Sequence, residues 1–332
     1  MRFWEMSSAS SRRKLRSCEP VARSWLPSEV TATAVAVVVL NWNGGDDTIE
    51  CLAWLSRVTS PLIDVIVVDN GSTDDSVERI HDLHPTVTLL RAGENLGFSA
   101  GNNLGIRAAL ERGASRVLIL NNDTLVDPQA IARMSEALEG DPAAGAACPL
   151  LTFADPPDLV WFAGATFDPA RGRSGRMTGY RRRTGDWVER LPNDIDRGVG
   201  AAMLVRREVL DDIGLLDEDF FFLYEDVDWS LRMRAAGWKI RFVADAHVIH
   251  KVAASQGGRE INPTTLYYLA RNQLTVCQRH APLRGLRRLG RETVILGVLL
   301  WGTLRSPFGP RSVGALIAGW RDFRTGRMGR RP

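Results

Sequence analysis

The sequence predicts an α/β fold built on a single doubly wound, mostly parallel sheet. Two observations carry that prediction. Aliphatic and β-branched runs at residues 35–40, 64–69, 87–90 and 116–120 alternate with helix-periodic segments, the order that builds right-handed βαβ units. Each of these runs also ends in a polar cluster, and in an open parallel sheet ligands bind outside the carboxyl ends of the strands.

Residues 35–40 are apolar without interruption, as a strand buried on both faces must be. Asp47 and Glu50 then form a capping-box-like pair for a helix through Leu55. After the strand at 64–69, residues 72–75 open a second helix with Val77, Ile80 and Leu83 inward. A third helix over 102–112 ends at Gly113, a C′ glycine. Beyond the strand at 116–120, Asp127 and Pro128 start a fourth helix whose buried stripe is Ile131, Met134 and Leu138, stopped by Gly140. Residues 151–197 are rich in Gly, Pro and Arg and read as a loop-bearing insertion shaping a pocket. Helices over 206–213 and 226–236 and a strand over 240–243 follow.

The 332 residues can bury a substantial core, and 45% apolar with 24% charged residues is ordinary for a globular protein. Cys18, Cys51, Cys148 and Cys277 are scattered, without metal-ligand spacing or a disulfide pattern, which fits a reducing compartment. The net charge of +3 hides an asymmetry. From Arg279 onward 12 arginines face two acids, so this tail carries +10 and the preceding body −7. Such a tail suits an anionic surface, whereas the acidic body argues against nucleic acid as the main ligand. The apolar run at 32–40 is about half of the roughly 20 residues a membrane span needs, and the one at 293–304 is also short. With 313–320 and flanking arginines, the latter reads as helices lying on an anionic membrane face. Residues 1–33 lack periodicity and read as a flexible extension, 34–280 as the main domain and 281–332 as a basic, amphipathic helical region.

The polar strand ends are where chemistry is expected. Asn41, Asn43, Asp69, Asn95, Gly97 and Asn122 would converge on one rim. Asp69 can accept hydrogen bonds from a nucleobase N–H or simply cap a helix. Asp123 can join a hard divalent cation, whose shell is completed by water and diphosphate, or close an Asx-turn. Glu225, Asp226 and Asp228 follow the apolar run 220–223. A carboxylate beside aromatics suits a general base, although an acid in a helix's first turn is also common for its dipole. His247 and His250 follow the strand at 240–243; a lone histidine is more often structural, and His250 gains meaning only beside Asp123. The absence of GxGxxG and GxxxxGK[ST] weakens dinucleotide and P-loop readings.

The ordered set Asn41-Trp42-Asn43, Asp69-Asn70-Gly71-Ser72-Thr73-Asp74, Asn95-Leu96-Gly97-Phe98, Gly101-Asn102-Asn103, Asn121-Asn122-Asp123, Gly200-Ala201-Ala202-Met203, Tyr224-Glu225-Asp226-Val227-Asp228 with Gly237-Trp238, and His250 with Ser255 resembles family 2 glycosyltransferases, especially the bacterial rhamnosyltransferase and galactofuranosyltransferase branch. The resemblance covers roughly residues 34–280. It implies the GT-A fold, with a nucleotide-binding half and an acceptor-binding half. It implies Asp69 on the nucleobase, Asp123 as the last residue of the DxD metal motif, His250 completing the metal site and Asp226 as catalytic base. Gly200, Ala201, Glu225 and Trp229 would line the donor and acceptor pocket. The first acidic position of the DxD is Asn121 here, a departure bearing on metal affinity.

What the resemblance implies is metal-dependent, inverting transfer from a nucleotide sugar, with Mn2+ or Mg2+ as cofactor. The acceptor would be a glycan or lipid-linked hydroxyl in cell-envelope polysaccharide synthesis. Among donors dTDP-rhamnose comes before a UDP-sugar. The expected location is cytoplasmic, peripheral at the inner face of the cell membrane. Two alternatives stand beside it: a nucleotidyltransferase, which normally carries a basic phosphate loop where residues 41–47 are acidic, and a non-catalytic sugar-nucleotide-binding protein.

Overall fold

The computed structural model describes residues 35–172, 177–252, 262–304 and 309–331. The expectation for residues 1–33, together with Ser255 and residues 173–176 of the 151–197 segment, lies outside them. The first elements are β1 (Val35–Asn41), α1 (Gly45–Leu55), β2 (Ile63–Asp69), α2 (Ser76–Leu83), β3 (Thr88–Arg91), α3 (Gly97–Glu111) and β4 (Arg116–Asn121). Then come β5 (Thr124–Val126), α4 (Ala130–Glu139), β6 (Ala144–Phe153), β7 (Val160–Phe162), β8 (Asp194–Ile195), β9 (Ala202–Arg206), α5 (Arg207–Ile213), α6 (Glu225–Ala235) and β10 (Lys239–His250). Helices α7 (Pro263–His280), α8 (Gly285–Leu304) and α9 (Val313–Thr325) close the described chain.

One sheet runs β3-β2-β1-β4-β9-β6-β10-β5, with β7 added to β6 and β8 to β10. The predicted parallel sheet is realised in β3, β2, β1 and β4. Beyond β4 the sheet is mixed: β9 lies antiparallel to both β4 and β6, while β6 and β10 are parallel. The sequence reading passed over β9 because its five residues sit directly between the Gly200-Ala201 turn and a helix. Strand β1 is buried on both faces, as its uninterrupted apolar run requires. Helix α3 crosses it closely enough that a Cβ at Gly105 would meet Val38 and Val68 side chains.

Several local expectations change. Asp47 and Glu50 do not cap α1; its N-cap is Gly44, without a side-chain bond, and both acids instead hold Lys251. Leu83 is exposed, because α2 ends there and only Val77 and Ile80 reach the core. Helix α3 begins five residues earlier than predicted, at Gly97. Asp127 accepts from the Gln129 N–H, and α4 starts at Ala130 rather than Pro128, with Ile131, Met134 and Leu138 buried as expected. Cys51, Cys148 and Cys277 are buried free thiols.

The three last helices form a second core with the aromatic run before α6. Helix α7 is capped by Asn262, whose side chain accepts from Thr265 N–H, and opens with Pro263. Part of the basic tail turns inward: Arg291 is buried on the carbonyls of Pro169 and Ala281, and Arg279 pairs with Asp217 and Asp228. On α8 the apolar residues Val294, Val298, Trp301 and Leu304 are more than half exposed.

Candidate active site

The polar strand ends do meet, and hydrogen bonds join them. Asn41, at the end of β1, donates through Nδ2 to Asp69 Oδ1 (3.3 Å), Ser72 Oγ (3.1 Å) and Ser76 Oγ (2.9 Å), and its Oδ1 accepts from Thr48 Oγ1. Asn122 Nδ2 donates to that same Thr48 hydroxyl, 3.0 Å away. Asn70 donates to Asn95 Oδ1 and to the Gly97 carbonyl, while Gly97 N–H donates to Asn95. Asn43, with φ 51°, accepts from Thr73 N–H at 2.7 Å.

Two of the expected nucleotide contacts are corrected by this network. Asn41 is fully buried with amide nitrogen and oxygen both engaged, so it orients Asp69 rather than touching a ligand. Gly97 is buried with φ 84°, and a Cβ there would collide with the Phe221 carbonyl. It permits that close approach instead of presenting a contact of its own. Asp69 does not cap a helix, since α2 begins at Ser76 after Asp75; its carboxylate accepts from Ser72 N–H and closes the turn after β2.

The second corner holds Asp123 and His250. Register places His250, the last residue of β10, between Phe153 of β6 and Thr124 of β5. Its Nε2 lies 3.1 Å from Asp123 Oδ1 and 3.5 Å from Asn121 Nδ2. Trp161 of β7 packs edge-on against the imidazole, 4.3 Å between ring centres. Lys251 N–H donates to the Asp123 carbonyl, and its ammonium ties this corner to α1 through Asp47 and Glu50. His247 stands apart on Thr152 Oγ1, and burial lowers its pKa. No group of three His, Cys, Asp or Glu side chains suited to an ion occurs among the described residues. The converging carboxylate and imidazole of Asp123 and His250 nevertheless fit two positions of a hard cation's shell, the remainder being water and phosphate oxygens.

The third corner is the N-terminus of α6. Gly200 N–H donates to Asp226 Oδ2 (3.1 Å) and Val227 N–H to Oδ1 (2.8 Å). Glu225 is buried with Oε2 lacking a hydrogen-bond partner; desolvation, then the neighbouring Asp226 charge, pushes its pKa well above the carboxylate range. Asp228 is buried too, but His280, Arg232 and Arg279 surround it and hold its pKa at about 2, against the opposing effect of burial. The pocket expectation for Trp229 is corrected: the indole lies wholly inside the main core, its N–H on the Gly214 carbonyl. Ala201 contributes its carbonyl, which accepts from Asn121 N–H at 2.9 Å. The adjacent backbones of Gly200 and Ala201 thus join the carboxylate of α6 to the turn carrying Asp123.

Sequence patterning missed Trp161, Lys251, Arg271 and Asn272. The last two had a faint signal, an Arg-Asn pair inside an otherwise apolar-periodic helix.

The profile of glycosyl transferase family 2 matches residues 36–214. The chain belongs to that family. It is 30% identical over 241 residues to the N-acetylglucosaminyl-diphospho-decaprenol L-rhamnosyltransferase of Mycobacterium tuberculosis, covering 67% of this chain and 77% of that one. It is 24% identical to the dTDP-rhamnosyl transferase RfbF of Shigella flexneri, over 66% and 72% of the two chains. Among solved structures, the mannosyltransferase PcManGT of Pyrobaculum calidifontis, in complex with GDP-Man and Mn2+, superposes with a TM-score of 0.53 at 18% identity. That match covers 88% of this chain and 79% of the other. This family 2 glycosyltransferase therefore has the GT-A fold.

Proposed function

We propose that this glycosyltransferase moves a rhamnosyl group from dTDP-rhamnose to a hydroxyl of a lipid-linked glycosyl diphosphate, with inversion at the anomeric carbon. The names of the Mycobacterium and Shigella relatives favour that donor and acceptor class. The observation that carries the reaction type is the Gly200-Ala201 bridge, which sets the Asp226 carboxylate beside the turn bearing Asp123. Family membership sets the nucleotidyltransferase alternative aside.

In this reading Asp226 takes the proton of the acceptor hydroxyl. The oxygen bonds to the anomeric carbon as the bond to the diphosphate breaks, and that electron pair leaves on the diphosphate. Gly200 and Val227 N–H groups hold the carboxylate for this task, while burial and then the neighbouring Asp226 charge shift Glu225 towards its protonated form. Asp69 receives the nucleobase; Asn43, Asn95 and Asn122 line the rim beside it. Asp123 and His250 are the residues that would hold Mn2+ or Mg2+, which supplies charge neutralisation on the leaving diphosphate. Residues 34–280 act as the catalytic unit. Residues 281–332 rest on an anionic membrane surface through the exposed face of α8, at the inner side of the cell membrane. No helix among the described residues is long and apolar enough to cross one.

The test is a donor screen on purified protein with a GlcNAc-diphospho-polyprenol acceptor, following nucleoside diphosphate release with and without Mn2+. dTDP-rhamnose should turn over with metal, and Asp123→Ala should abolish that turnover. Turnover confined to a UDP-sugar would overturn the donor assignment.

A further inference from the structure

The catalytic helix hangs from an unusual turn. Leu223 and Tyr224, immediately before α6, both adopt left-handed backbone, with φ of 67° and 73°. Side chains beyond Gly, Asn and Asp rarely enter that region, and two in succession persist only where the surroundings over-determine them. Here the surroundings are α7. Asn272, fully buried, donates both amide hydrogens to this turn, to the Phe222 carbonyl (2.8 Å) and the Leu223 carbonyl (2.7 Å). Its own Oδ1 accepts from Arg271 Nε at 2.8 Å, which forbids the flipped amide. Arg271, equally buried, is anchored in turn by donating Nη1 to the Gly329 carbonyl at 2.7 Å. Tyr268 stacks on Phe221, 5.8 Å between ring centres.

We propose that Asn272, oriented by Arg271, is a positioning residue for Asp226. It locks the 222–224 turn into the one backbone path that delivers the Asp226 carboxylate to Gly200 N–H and the acceptor hydroxyl. The chemistry of the side chain is specific to the task. Only an amide combines two donors on one atom with an acceptor for the guanidinium. An aspartate of the same shape would keep the Arg271 contact and set a carboxylate oxygen against two carbonyl oxygens. The inference rests on the reading of Asp226 as the base.

The experiment is Asn272→Asp in the full chain, titrated with dTDP-rhamnose and assayed against the glycosyl-diphospho-polyprenol acceptor. Donor sites per molecule and donor Kd should stay near wild type, because Asn272 holds the Phe222 and Leu223 carbonyls whereas α3 meets the turn at the Phe220 and Phe221 carbonyls. kcat per donor site should fall about 10- to 100-fold, as misplacement of a reacting group by about an ångström does. The acidic limb of the kcat pH profile should be displaced as well. Should Asn272→Asp not fold, Asn272→Ser, which keeps one donor and adds no charge, goes through the same titration with a smaller expected fall. Wild-type kcat per donor site in either variant overturns the proposal. So does activity lost only in step with donor sites, the mark of a purely structural side chain. Wild-type turnover in Asp226→Asn would instead overturn the base reading and leave Asn272 without a reaction to serve.

Discussion

Glu225, Asp226 and Asp228 share one helical turn yet meet three environments, and their neighbours decide what each can do. Asp228 faces two arginines and a histidine, so its folded pKa of about 2 lies below the ordinary 3.8. Its stabilising contribution, about 2 kcal/mol, is complete above pH 4 and is lost as pH falls towards 2. Asp228→Asn should therefore cost about 2 kcal/mol near neutral pH and progressively less in acid, as urea titrations at pH 7 and pH 3 would read. Glu225 has the opposite sign. Its folded pKa is raised, so folding opposes its ionisation and stability falls as pH climbs above 4.5. Glu225→Gln should be more stabilising at pH 7 than at pH 4, by the same assay. Helix spacing alone does not distinguish these three acids, and the family resemblance that singles out Asp226 reveals neither the Oε2 left without a partner at Glu225 nor the cations that α6 and α7 bring to Asp228.

At the scale of elements, α3 and the 220–224 turn are fitted to each other through a residue without a side chain. Phe98 N–H and Ser99 Oγ both donate to this turn's carbonyls, of Phe221 and Phe220. Gly97→Ala should cost about 1–3 kcal/mol, since it adds left-handed strain to a clash with Phe221. It should also weaken donor binding, because the same residue ends the Asn70–Asn95 network; thermal unfolding and donor titration check the two effects. The first four strands of the sheet's parallel part were legible because each is a mainly apolar run punctuated by turn chemistry. Strand β9 was not, because its five residues run straight into α5 with no turn between strand and helix. The early start of α3 was hidden for a related reason: Gly97-Phe98-Ser99-Ala100-Gly101 has poor helix propensity, and tertiary contacts to the 220–224 turn override it.

Taken as a whole molecule, the protein separates the polar rim at the strand ends from an arginine-bearing helical flank. Charge asymmetry in the sequence pointed to that flank, but not to the arginines that serve internal carbonyls and carboxylates, nor to the exposed face of α8. If that face docks on lipid, Val298→Glu with Trp301→Glu should abolish flotation with anionic vesicles and leave donor binding intact; flotation of wild type equal to that of the double variant would refute the docking. The corners holding Asp69, Asp123 and Asp226 come from separate stretches of chain, and the ordered motifs announced them although only the sheet brings them together. Asp226→Asn decides whether Asp226 is the proton acceptor. With dTDP-rhamnose and acceptor supplied, the variant should bind donor with wild-type affinity and lose turnover by about 10²-fold or more. Wild-type turnover in that variant would contradict the account.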